Sequence, residues 1–408
     1  MASRRQSGAG FKVENGASFA IPGLELVLDI PSLAERVRSW IVHDALPLWT
    51  RLGLDLHHGG VIECFKPDLS APGQTEFKRL RVACRQLYVF SHASVLGWPA
   101  RAAADHVYAH LQQAFWLGAE TGWARRLTTT GAVLDPTPDL YDYAFVLFAL
   151  AWRYRATRES TALSSAHLTL DMIEQRFRHP LFAGYENALP ATLPRQQNPH
   201  MHLMEAALAL IEATGERRFH ALADQLFALF ANHLFDARAG LLREFFAPDW
   251  SLAPGDEGRR VEPGHMFEWT WILHQYQRLT GTDATAPMQS LTAFAERHGV
   301  DPKTQLTVNA VRDDGAVLDR GSRVWPNTER IKAWIALSEA TGKDATPALA
   351  GSVNVLFDRY LTPARPGAWI DLIDEDGRPH SPTIPTSTLY HIFLAFAELL
   401  RFSGRSTL

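Results

Sequence analysis

"ALALIEATGERRF", residues 207–219, closes one helix and opens the next. An apolar run ends in Ala-Thr, a glycine follows, and a charged start leads into new apolar spacing. The phrase recurs as "ALAWRYRATRES" (149–160), "HQYQRLTGTD" (274–283) and "ALSEATGKDAT" (336–346). Each is an apolar helix, then Ala-Thr or Leu-Thr, then glycine or a charged residue, then another helix. The copies lie about 60 residues apart, the period of one helical hairpin per repeat.

Working outward, apolar residues at three- and four-residue spacing predict helices over 32–53, 75–98, 101–121, 139–156, 161–177 and 201–214. The same pattern continues over 217–234, 265–280, 287–298, 327–341, 345–360 and 386–402. Strand signals are short: "GLLREFFAP" (240–248) and "AWIDLIDEDGRP" (368–379) read as small hairpin-like insertions, the second with an Asp-Gly turn. Six helix pairs without a Pro/Ser-rich linker predict an all-α fold, a closed (α/α)6 barrel. An open α-solenoid would share the period, but irregular, aromatic-rich loops favour closure. Residues 1–24 read as a flexible lead-in and 25–408 as one catalytic barrel domain.

With 408 residues, 46% of them hydrophobic, the chain can bury a large core. The formal charge of -4 comes from mixed signs, with no basic stripe for nucleic acid. No apolar window is long enough to span a membrane, and no signal-peptide core follows the basic start. A cytoplasmic protein is expected. Cys64 and Cys84 have neither a disulfide framework nor a zinc-ligand spacing.

Four stretches place polar residues in apolar helix starts: Arg85 in "RLRVACRQLYVFSHA", His202 in "NPHMHLMEAALAL", His265 and Glu268 in "EPGHMFEWTW", and His391 in "PTSTLYHIFLAFAELL". In an alternating barrel the inner-helix starts converge at one end, so these side chains would share a pocket. A lone histidine near a helix start is more often structural than catalytic, and aromatics such as Trp269 and Trp334 more often belong to a core. The set carries the argument. Imidazole takes and returns a proton near neutrality, and an arginine can steady a developing enediolate. Glu268, one turn beyond His265, is placed to orient that ring. "HMH" lacks a convincing third ligand, so no metal is expected. No Ser or Cys nucleophile motif and no phosphate loop is present. Proton transfer on a carbonyl compound fits; glycoside hydrolysis by paired carboxylates, or sugar binding without catalysis, is the rival on such a barrel.

The phrases "CRQLYVF", "LYDYAFVLFALA", "NPHMHLMEA", "EPGHMFEWTWIL", "RVWPNTERIKAW" and "STLYHIFLAFAEL" occur in an order that resembles the N-acylglucosamine 2-epimerase superfamily, over about residues 30–402. The resemblance implies an (α/α)6 barrel that acts on an open-chain monosaccharide without metal or other cofactor, as a monomer or homodimer. It implies Arg85 as the arginine at the O1/O2 end and His202 as the residue for ring opening or for holding the intermediate. His265 and His391 become the acid/base pair. Asn198 would bind the enediolate and Glu268 would support His265, with Tyr141, Trp325, Glu329 and Trp369 lining the sugar pocket. "STLYHI" resembles the D-mannose isomerases, and "EPGH" the isomerase or cellobiose-epimerase branches more than the N-acyl branch, which points to D-mannose–D-fructose interconversion. A 2-epimerase acting on mannose or glucose, an N-acyl hexosamine or cellobiose is the alternative, because both activities pass through a cis-enediolate. Arg323, Arg330 and Lys332 keep a phosphosugar open.

Overall fold

The computed structural model describes residues 29–408; the lead-in assigned to residues 1–24 lies outside them. Six helices carry burial around nearly their whole circumference: Leu80–Val95, Leu140–Thr157, Asn198–Thr214, Pro263–Thr280, Val324–Thr341 and Leu389–Phe402. A helix buried on every face belongs in an interior. Each packs on the next in chain order, and Leu389–Phe402 returns to Leu80–Val95, which closes the ring. The outer partners begin with Ile30–Ser39 and run through Arg101–His110, Ser160–Met172, Arg217–Leu229, Thr285–Phe294 and Thr346–Val355. Each of these six runs into a π-helical turn, from Trp40–Ala45 to Leu356–Leu361. The expected (α/α)6 barrel is present. Among the described residues no helix is long and apolar enough to cross a membrane.

The repeated phrase is the reversal between an inner helix and its outer partner. Gly215, Gly281 and Gly342 sit at φ of 71°, 78° and 71°, the left-handed backbone that ends a helix and that a side chain disfavours. Arg158 takes the same conformation in the copy that lacks glycine. The threonine works from both sides. Thr214 Oγ1 donates to Leu210 O at 2.7 Å and accepts from Glu216 N at 3.2 Å. Thr157, Thr280 and Thr341 repeat that pair of bonds.

At the opposite end, short strands launch the inner helices. Phe77–Arg79, Arg195–Gln196, Arg260–Val261, Ser322–Arg323 and Ile384–Pro385 each precede one. Cys64–Phe65 pairs with Ile384–Pro385, so the segment before the first inner helix meets the segment before the last. The hairpin reading needs correction at 240–248. Leu241–Leu242 pairs with Phe235–Asp236, whereas Phe245–Phe246 pairs with Arg195–Gln196. The stretch is thus split between two sheets, with Glu244 at the division. In 368–379 the Asp-Gly turn forms, and Leu372–Ile373 pairs with Ser322–Arg323. Strands of two residues are too short for alternation to reveal their partners.

Candidate active site

The amino ends of the inner helices meet around a cavity of about 410 Å³. Arg85, Tyr141, Asn198, His202, His265, Glu268, Trp325 and His391 all line it. Of the ten residues expected there, Glu329 and Trp369 do not reach the wall. Glu329 is fully buried behind His391, and Trp369 stacks on Trp49 with ring centroids 4.8 Å apart. Asp371, two residues on, lines the cavity and accepts a bond from Thr388 Oγ1 at 2.7 Å.

Each of the three histidines is held at Nδ1 by a carboxylate. His202 meets Glu205 Oε2 at 3.0 Å, His265 meets Glu244 Oε2 at 2.9 Å, and His391 meets Glu329 Oε1 at 2.8 Å. A proton on Nδ1 leaves Nε2 to the cavity. The expected orienting bond from Glu268 to His265 is absent, although the charge of Glu268 does help to raise the proton affinity of His265. Glu268 leans instead toward His202, with Oε1 3.9 Å from Nδ1, because Glu244 already occupies the His265 side. Glu244 was missed because it stands alone in a strand-like stretch far from any histidine in sequence. Gln197 locks it by donating to its Oε2 at 2.9 Å while accepting from Trp269 Nε1 at 2.7 Å.

The Pro-Gly before His265 has a packing reason. Pro263 occupies the first turn, where its missing N–H costs nothing. Gly264 lies against Trp325, and a Cβ there would stand 2.6 Å from two ring carbons. The indole can therefore sit between the two histidines, with centroids 5.1 Å from His265 and 5.5 Å from His391.

Electrostatics separates the two rings. Burial opposes charge on His265, but Glu244 and Glu262 outweigh it and raise its pKa to about 10. Burial, then the cations Arg85 and Lys332, hold His391 well below the ordinary imidazole value. Arg85 donates to Tyr141 Oη at 2.7 Å and lies 4.4 Å from the Phe145 ring centroid. No carboxylate pairs with it among the described residues, and it lines the cavity. Asn198 Oδ1 and both Glu268 oxygens are buried without a hydrogen-bond partner.

Two donor triads, His202–Glu205–Glu268 and Glu268–Glu329–His391, bring ligand atoms within 4.8 Å of one another. Their imidazole Nδ1 atoms already bond carboxylates, and Lys332 supplies positive charge among them. His200 is spoken for: it accepts from Tyr185 N at 3.0 Å through Nε2, and its Nδ1 meets Gln196 O at 3.0 Å. Of the three phosphate candidates, Arg330 pairs with Glu296 and Lys332 is fully buried, while Arg323 lines the cavity.

The model of the N-acylglucosamine 2-epimerase (GlcNAc 2-epimerase) family matches residues 60–395. The chain belongs to this family. It is 36% identical over 383 residues to a mannose-6-phosphate isomerase of Rhizobium meliloti, which covers 91% of this chain and 98% of the relative. It is 30% identical over 283 residues to a D-mannose isomerase of Thermobifida fusca, 64% of this chain and 69% of the relative. Among solved structures, a cellobiose 2-epimerase from Bacillus thermoamylovorans superposes with a TM-score of 0.82 at 21% identity, over 91% of this chain and 99% of that one. That likeness concerns the fold. Family and relatives together make the chain a sugar isomerase or epimerase.

Proposed function

We propose that this family member is an aldose–ketose isomerase that interconverts D-mannose and D-fructose through a cis-enediolate. The observation that carries the reading is the opposed pair of imidazoles. His391 is neutral at pH 7 and His265 is charged, and both face one cavity beside an unpaired arginine. Environments that push two proton affinities apart assign an acid and a base.

Neutral His391, with its proton on Nδ1, takes the C2 proton at Nε2 and returns it to C1 on the same face of the enediolate, while the hydroxyl proton of O2 passes to O1. Arg85 and the His265 imidazolium steady the oxygens where negative charge develops. The inner helices add the positive ends of their dipoles. His202, tied to Glu205, is placed to assist ring opening, with Asn198 as a further polar contact. A 2-epimerase needs its second group to protonate C2 from the opposite face and to reverse that step. A charged His265 can give its proton to the oxygens of the enediolate, where an isomerase needs it. The isomerase names of the two sequence relatives support the same choice.

A second reading adds a phosphate at C6. The relative matched over 98% of its length bears that substrate in its name, and Arg323 at the cavity wall forms no ion pair among the described residues, although it feels the charge of Asp371. NMR in D2O with D-mannose and with mannose 6-phosphate tests both readings. Fructose or its phosphate carrying solvent deuterium is expected. Glucose labelled at C2 would replace the isomerase with a 2-epimerase.

A further inference from the structure

Lys332 lies in the barrel core with no exposed surface. Lysine is almost never fully buried unless paired. Its Nζ stands 2.6 Å from Glu329 Oε2, one turn earlier on the same helix. The other oxygen of that carboxylate, Oε1, meets His391 Nδ1 at 2.8 Å. Glu329 is thus shared between an ammonium and the imidazole.

On its other side the ammonium lies 4.3 Å from the centroid of Trp271. That indole also faces a second cavity at the far end of the barrel and is fixed there by donating to Glu398 Oε2 at 3.0 Å. The ring therefore screens the ammonium from the far cavity.

We propose that Lys332 is a positioning residue for the reaction: its ammonium fixes Glu329 as the acceptor for His391 Nδ1–H, and so aims the bare Nε2 of His391 at the sugar. The inference rests on the isomerase reading for its kinetic arm.

The surrounding charges agree. Glu329, Glu268 and Glu205 face the ammonium, while Arg85, His202 and His265 join it in facing His391. Burial works against a charged lysine, but Glu329, Glu268 and Glu205 outweigh it and raise its proton affinity. Burial, with Glu268 and Glu205, pushes the Glu329 carboxyl well above its ordinary value, and the Lys332 ammonium is the charge that works against that push and favours Glu329 as an acceptor. Packing alone would be served by methionine, which has the same reach.

The test compares wild type, Lys332→Met and Lys332→Arg by sugar turnover against pH, with imidazole 15N NMR on wild type and Lys332→Met. In wild type His391 is expected neutral at pH 7 with its proton on Nδ1. Lys332→Met should lower kcat about 10–100-fold, the range for losing a residue that orients a ligand-bearing histidine, with KM little changed. Loss of the cation lets the His391–Glu329 pair bind its next proton more readily, so the acid limb of kcat/KM should move to higher pH. Lys332→Arg should keep the wild-type limb.

A Lys332→Met enzyme with an unmoved limb and an unchanged His391 resonance overturns the proposal. The wild-type spectrum needs no variant to fold: His391 found as imidazolium at pH 7, or with its proton on Nε2, overturns it too. A wild type inert on every hexose, yet with the expected tautomer and with its His391 resonance shifted in Lys332→Met, counts against the isomerase reading and for the role of Lys332.

Discussion

The two mouths of this barrel are built from the same six helices and differ in almost every chemical respect. At the amino ends lie three histidines, an unpaired arginine and buried carboxylates. At the carboxyl ends lies a cavity of about 340 Å³ with Trp152, Trp271, Phe148 and Leu394, ringed by arginines. Arg155, Arg278 and Arg401 there sit in the last turns of inner helices, where a cation suits the dipole. Each is answered by a glutamate: Glu212 for the first two, Glu339 for the third. The far mouth has satisfied its charges and holds the ring together. The near mouth has left charge unsatisfied, and an anionic intermediate can use it.

The largest effects should fall on the near mouth. His391→Ala and His265→Ala are each expected to lower kcat by about 10²–10⁴-fold, the contribution of a positioned acid or base. Near wild-type turnover in either variant removes that residue from the mechanism.

Glu244→Gln comes next. Without the carboxylate His265 should lose its proton at lower pH, so the alkaline limb of kcat/KM should move down. The folded value near 10 lies above the ordinary 6.5. Stability from this pair is therefore complete below about pH 6.5 and lost as pH rises through about 10. Melting curves against pH should show that loss in wild type and not in Glu244→Gln.

His200→Ala sharpens the contrast within the near mouth. Both ring nitrogens bond backbone, so the expected cost is about 1–3 kcal/mol of stability from the stranded partners, with kcat little changed. A collapse of kcat in a folded variant would transfer the role of His202 to its neighbour.

Arg278→Ala, at the far mouth, should have the smallest effect. Its side chain is 44% exposed, and solvent screens its pair with Glu212. The expected change is about 0–1 kcal/mol with unaltered turnover. A large loss of turnover would mean that the two mouths are coupled through the helices.

The sequence by itself determined the repeat, the twelve helices and which end of each inner helix carries chemistry. Those features are written in local spacing: apolar periodicity, a threonine at four reversals with a glycine after three of them, and polar side chains at helix starts. It placed Arg85, His202, His265 and His391 in one pocket because closure of six pairs leaves their starts nowhere else to meet. The partners of those residues were decided only in three dimensions. Glu268 is one turn from His265 but stands 3.9 Å from the neighbouring histidine, while Glu244 arrives from the link between two strands, 21 positions away. Trp369 turns into the wall to stack on Trp49, and Lys332 turns inward to a carboxylate rather than outward to a phosphate. A helix repeat fixes where a side chain starts. Which charge it meets depends on elements packed against it from other parts of the chain, and in a low-dielectric core that meeting sets the proton affinities on which catalysis depends.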